Sequence, residues 1–144
     1  MERYRLGPIR EVRIRDERAH KGGLATAVGD AQATAAEVAA AAARVAAARG
    51  TLADARRTYL ALVETGSTLS LLALADRFCA RRRRDLEASI AEHLRAEAAH
   101  TGRLGDVELA RGRLVHARAE REVTERHFAR WRETQHKLAE RRED

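Results

Sequence analysis

The chain has 144 residues and a mass of 16.0 kDa, which allows one fold unit and little room for a second. Apolar residues make up 44%, yet aromatics are only 3%, charged residues reach 35% and Pro8 is the single proline, a composition of long helices and coiled coils that disfavours a sandwich, a barrel or a Rossmann-type enzyme. The 28 basic and 22 acidic residues leave a net charge of +6 spread over both halves, rather than gathered on one tail as in most nucleic-acid binders.

Gly7-Pro8 opens the first periodic segment, because proline in the first helical turn lacks an N–H that would have no partner there anyway. A helix is expected from about residue 9 to 63. From Leu24 the apolar residues recur in sevens at Ala31, Val38, Val45, Leu52 and Tyr59, with companions three residues on at Ala27, Thr34, Ala41, Ala48, Ala55 and Leu62. Thr34 is the one polar member, so the pattern predicts a narrow, alanine-rich stripe that a partner helix approaches closely. Upstream the apolar residues suggest a different stripe through Ile9, Val12, Asp16, Ala19 and Gly23.

The stretch Glu64-Thr65-Gly66-Ser67-Thr68-Leu69-Ser70 reads as a turn over residues 64–70, with Gly66 as the C-cap and Ser67 or Ser70 as the next N-cap. A second helix then runs from about residue 71 to 140. Leu86, Val107, Leu114 and Phe128 recur on its apolar stripe beside Ile90 and Leu104, while His93, His100 and Arg121 interrupt it. Two helices of similar length joined by a turn near the midpoint predict an all-α, long antiparallel two-helix coiled-coil hairpin that occupies residues 1–144 as a single domain.

Sites of chemistry are sparse. His93 and His100 share a stripe but lie about 10 Å apart, too far for one ion, and no HExxH pattern accompanies them. Glycines never form a nucleotide-binding loop, Ser and Thr lack a nucleophile elbow, and Cys79, the sole cysteine, has no placed base and forms no disulfide within the chain. The chain is therefore expected to be no enzyme, with no catalytic residues, no cofactor and no metal. No apolar run approaches the roughly 18 residues that span a bilayer, so a cytoplasmic protein that is not membrane-embedded is expected.

Arg81-Arg82-Arg83-Arg84 is the sharpest local feature. Four successive helical positions span about 300° of azimuth, so at least one arginine must turn toward the partner helix, and the others offer an electropositive docking point. Aromatic residues that would stack on bases are absent around the run, which argues against nucleic acid. In the sign-alternating tail, Phe128 and Trp131 are helical neighbours placed to staple it to Ile9 and Val12, or to anchor another protein.

The segment Ile9-Arg-Glu-Val-Arg-Ile-Arg-Asp-Glu-Arg-Ala19 resembles the start of the first helix in small coiled-coil proteins of type III secretion, the YscO family of injectisomes and its flagellar relative FliJ. Leu86-Glu87-x-x-Ile90-x-Glu92-His93 is similar to a stretch early in the second helix of FliJ, and Leu52 with Tyr59 fits the family's L-x6-Y spacing. The resemblance implies a non-enzymatic central stalk of an injectisome, a virulence-associated apparatus. Its terminal ends would enter a hexameric export ATPase, promote ring assembly and activity, and couple the ring to the cytoplasmic domain of the export gate membrane protein. It also implies chaperone binding, and a location at the cytoplasmic face of the inner-membrane secretion apparatus.

Carried over by position, ATPase contact falls on Ile9, Arg10, Val12, Arg13, Arg15, Arg130, Trp131 and Arg132, and gate contact on Leu52, Tyr59, Leu86, Ser89 and His93. Ala55, Ser89 and the Arg81–Arg84 run depart from the family pattern. A monomer is expected in isolation. The alternatives are a coiled-coil adaptor that dimerises through the Leu24–Leu62 seam and, behind it, a basic nucleic-acid-associated protein.

Overall fold

A computed structural model describes residues 4–143. Two helices, α1 (Gly7–Glu64) and α2 (Leu69–Glu143), account for nearly all of them, and no strand occurs among the described residues. The expected antiparallel hairpin is thus the observed fold class. α1 begins two residues before the expected start, and the turn is shorter than the expected 64–70.

The turn follows from the backbone groups that each helix end leaves unpaired. Ser67 N–H donates to the Leu62 carbonyl at 3.1 Å and Gly66 N–H to the Val63 carbonyl at 3.2 Å, the paired bonds of a Schellman motif. Gly66 occupies the left-handed region at φ 73°, which a residue with a Cβ adopts only at a cost. The N-cap of α2 is Thr68, not Ser67 or Ser70: its hydroxyl accepts the Leu71 N–H at 3.4 Å and its carbonyl accepts the Leu72 N–H at 3.1 Å. The Ser67 N–H is already committed to closing α1, and Ser70 lies inside the first turn of α2, where its hydroxyl pairs with that of Thr68 at 3.1 Å, which leaves Thr68 as the residue at the right place to cap.

The chain divides into two units, one formed by residues 31–103 and carrying the turn, the other by residues 4–30 with 104–143 and carrying the terminal segments. In the turn-bearing unit the stripe read from the sequence is the seam. Ala31, Ala41, Val45, Leu52 and Ala55 are buried, with Val38, Ala48, Tyr59 and Leu62 half-buried beside them. On α2 the buried Cys79 and the half-buried Leu86, His93 and His100 repeat in sevens.

Their companions three residues on are Arg82, Ser89 and Ala96, all half-buried. Of the two residues expected beside Leu86 and Val107, Ile90 is half-buried, whereas Leu104 is exposed and is corrected: at its level the seam runs on the other flank. Small and polar residues hold those places, so side-chain size pointed to the wrong flank.

The terminal unit also departs from expectation. Ile9, Val12, Ala19 and Gly23 face solvent, Ile9 and Val12 at 48% and 43% exposure. Asp16 of that stripe is half-buried, but the periodic half-buried set is Leu6, Arg10, Arg13, Glu17, His20, Leu24 and Ala27, the same sevenfold spacing continued upstream with charged residues in it. Val107, Leu114 and Ala117 on α2 complete this unit's buried set.

Candidate functional surfaces

In the terminal unit the charged seam positions are satisfied by ion pairs between the two helices. Arg10 Nε donates to Glu125 Oε1 at 2.9 Å, and Arg13 Nη1 to Glu120 Oε2 at 2.5 Å. Glu17, the most buried of these carboxylates, lies 3.4 Å from Arg118 Nε and 2.6 Å from Arg121 Nε, the second contact lacking the angle of a hydrogen bond. Arg121, which interrupts the apolar stripe of α2 in the sequence, is thus the partner of an acidic residue at a seam position of α1.

Next to these pairs is an aromatic cluster. Tyr4 packs edge-on against Phe128 at 4.9 Å between ring centroids and lies 5.0 Å from Trp131, and Phe128 stacks on Trp131 at 5.8 Å. The Tyr4 hydroxyl is hydrogen-bonded to His127 Nδ1 at 2.9 Å. Arg10 places its guanidinium 4.6 Å from the Phe128 ring centre and Arg132 lies 5.9 Å from it, within cation–π range. Phe128 and Trp131 therefore hold the tail to Tyr4 and Arg10, not to Ile9 and Val12. Tyr4 precedes the periodic segment, so no spacing argument could have selected it.

The eight residues assigned to ATPase contact thus separate by environment. Arg10, Arg13 and Trp131 are engaged within the unit, whereas Ile9, Val12, Arg15, Arg130 and Arg132 are exposed. Pro8, Ile9, Val12 and Arg13 line an open apolar depression. A separate open groove of about 250 Å³ lies between the helices of this unit, lined by His20, Gly23, Ala27, Asp106, Leu109, Ala110 and Arg113.

In the turn-bearing unit the residues assigned to gate contact lie along the seam: Leu52 is buried, and Tyr59, Leu86, Ser89 and His93 are half-buried. His93 Nε2 lies 3.3 Å from Glu97 Oε1, and its Nδ1 is buried without a hydrogen-bond partner. The Thr34 hydroxyl donates to the Ala31 carbonyl at 3.0 Å and accepts from His100 Nδ1 at 2.9 Å, so both polar interruptions of this stretch are matched to each other. No group of three or more His, Cys, Asp or Glu side chains among the described residues could hold a metal ion.

Of the four-arginine run, Arg82 is the member turned inward, as the azimuth argument requires. It lies 3.3 Å from Asp85 Oδ2 and 4.9 Å from the centre of the Phe78 ring, and Arg81 covers the same ring at 5.6 Å, so one aromatic residue does stand beside the run, contrary to the expectation that none would. Arg81, Arg83 and Arg84 are exposed. Around the turn, Leu60, Val63, Leu69, Leu71, Leu74 and Phe78 all face solvent, a concentration of large apolar side chains that the heptad reading did not single out because none lies on the seam.

No family model matches this chain, and no curated protein matches it significantly. A solved structure does, that of a protein from Chlamydia trachomatis, CT670, described as a candidate YscO homolog. The two agree with a TM-score of 0.85 at 15% identity, over 99% of this chain and 88% of that one. At that identity the likeness is one of fold, and it is the fold implied by the resemblance of the Ile9–Ala19 segment.

Proposed function

We propose that this chain is a non-enzymatic stalk of a type III secretion export ATPase of the injectisome type, acting at the cytoplasmic face of the secretion apparatus. The observation that carries the reading is the shared fold with a described YscO homolog over nearly the whole length, joined to the opening Ile9–Ala19 motif. In this reading the terminal segments engage the hexameric ATPase and promote its assembly and activity, and the turn-bearing unit engages the cytoplasmic domain of the export gate. Secretion chaperones are further partners.

The division between engaged and exposed residues refines the contact set. Arg10, Arg13 and Trp131 hold the terminal unit together, and the ATPase meets Ile9, Val12, Arg15, Arg130 and Arg132. Leu52 keeps the seam closed while the half-buried edges of Tyr59, Leu86, Ser89 and His93 meet the gate. Exposed ion pairs are each worth only about 0–1 kcal/mol, so a mixed-charge surface can bind a ring without locking to one subunit.

The test is ATP hydrolysis by the export ATPase of the same organism at rising concentrations of this protein, with ring assembly followed in parallel. Stimulation with more hexamer is expected. Reversing Arg15, Arg130 and Arg132 to glutamate should lower stimulation severalfold at unchanged helicity. Absence of any effect of the unaltered protein on hydrolysis or assembly would sink the reading. The adaptor alternative gains nothing from the structure, because the Leu24–Leu62 seam is covered within the chain.

A further inference from the structure

In a chain that is 35% charged, residues 58–75 contain one charged side chain, Glu64, and residues 65–75 contain none. That stretch includes the turn and the first helical turns on either side of it. Its large side chains do not close a core: Leu69 is 85% exposed, and Leu60, Val63, Leu71 and Leu74 are exposed as well. They project from both helices, so the apolar surface wraps the turn instead of lining a groove between two ridges.

The charge that is missing from the turn reappears on both helices at matched distance. Arg57 precedes Thr65 by eight residues and Arg77 follows Thr68 by nine, about 12 and 13 Å back along the respective helices. Arg56 stands beside Arg57, and the exposed Arg81, Arg83 and Arg84 lie about 20–24 Å back on α2, behind the collar. Asp54 pairs with Arg57 and Asp85 with Arg82, and Glu64 and Asp76 are the remaining acids, so the seven arginines from Arg56 to Arg84 keep an excess of positive charge.

From this juxtaposition we propose that the turn end docks on an anionic lipid surface, its leucines entering the headgroup layer and its arginine collar binding the lipid phosphates. Apolar side chains of interfacial segments sink about 5–10 Å into the headgroup and acyl boundary, which leaves a collar some 12 Å behind the turn at the phosphate level. Arginine stems lie along apolar surface with the charged head in water, and the exposed Arg81 has its guanidinium 5.6 Å from the Phe78 ring centre. Glu64 keeps the insertion shallow, and no helix among the described residues is long and apolar enough to cross a membrane. An acidic protein would satisfy the arginines, but it would need a concave surface fitted around a convex apolar end, whereas a fluid interface conforms to it. The proposal does not rest on the ATPase reading.

Co-sedimentation of the full chain with vesicles of pure phosphatidylcholine, and of phosphatidylcholine with 30% phosphatidylglycerol, tests it. Binding to the anionic vesicles should exceed binding to the neutral ones at least tenfold and weaken with salt. Each arginine near such a surface contributes about fivefold, so R56Q/R57Q/R77Q should bind about a hundredfold more weakly. L69Q/L74Q should also bind at least tenfold more weakly, E64Q a few-fold more tightly, and R141Q/R142Q as the unaltered protein does.

Circular dichroism should show full helicity for every variant, since the altered side chains are exposed. Three outcomes would overturn the proposal. Failure to bind anionic vesicles would return the patch to an acidic protein partner, undiminished binding by L69Q/L74Q would reduce the effect to adsorption of charge, and equal loss in R141Q/R142Q would remove the turn's special role. Vesicles contain no ATPase and the hydrolysis assay no lipid, so this proposal and the stalk reading can fail separately.

Discussion

In the turn-bearing unit the seam of α1 holds Ala31, Ala41, Val45, Leu52 and Ala55; in the terminal unit the same sevenfold spacing holds Arg10, Arg13, Glu17 and His20. The first set is closed by close approach. Ala41 is 1% exposed, and alanine on one helix lets the backbone of the other come near, so the contact is chiefly dispersion and excluded water, with the Thr34–His100 hydrogen bond and the Arg44–Glu92 pair at 3.6 Å as directional links across it. The second set is closed by matching each guanidinium to a carboxylate on α2, at Glu125, Glu120 and again from Glu17 to Arg118 and Arg121. Such pairs add little net stability, but a one-residue slip would separate all of them, so they fix the register of a helix pair whose apolar residues are too few to do so.

The comparison is broken most directly by cutting the largest buried side chain of the alanine seam. Leu52→Ala should lower the free energy of unfolding by about 2–3 kcal/mol, measured in urea, and by the same amount at 0.1 and 1 M NaCl, since a lost apolar contact is not screened. Next in size is the turn that sets where both helices stop. Gly66→Ala puts a Cβ into open space, so its whole cost is that of holding alanine at φ 73°, about 1–2 kcal/mol, again independent of salt.

The terminal unit should respond oppositely to salt. Glu17→Gln removes the partner of two arginines, and because those arginines are partly solvated the loss should be only about 1 kcal/mol at low salt and fall toward zero at 1 M. A Glu17→Gln effect as large and as salt-independent as that of Leu52→Ala would mean that the terminal unit is held by packing, and the contrast between the units would collapse.

The same contrast explains what the sequence revealed. Leu24 to Leu62 was legible because apolar residues at a fixed spacing signal burial whatever the partner is. Arg10, Arg13 and Glu17 were not, because a charged residue at a seam position reads as solvent-facing until its partner is known, and those partners lie more than 100 residues away at Glu120, Arg121 and Glu125. Ile9 and Val12 stand out in the sequence instead because they are apolar, yet they are exposed. On α2 the reverse error occurred: Leu104 is large and solvent-facing, while Ser89 and Ala96 sit in the seam. The inward arginine of the four-residue run needed no partner to be inferred, since helical geometry alone forbids four consecutive residues from sharing a face, and it proved to be Arg82. The residues proposed for ATPase contact, taken from both terminal segments, likewise mix exposed groups with those that close the unit, and the sequence alone does not sort them.

The smallest effect concerns a pair within α2 of the terminal unit that belongs to neither seam. Lys137 Nζ donates to Glu133 Oε1 at 2.6 Å, and that hydrogen bond, followed by the ammonium charge, lowers the Glu133 carboxyl below its ordinary value. A carboxyl lowered by folding favours the helix above the ordinary carboxylate range, and the benefit disappears as pH falls through the lowered value. Both side chains are solvated, so the effect belongs to one turn of helix and should not move the global unfolding midpoint. Carbon-detected NMR titration of Glu133 should give a midpoint below that of an unpaired glutamate, and Lys137→Gln should return it to the ordinary range. If instead Lys137→Gln shifted the acid-unfolding midpoint of the whole chain, this tail would have to be coupled to the seam, and ion pairing on its solvated face would carry weight that only the seam pairs are assigned.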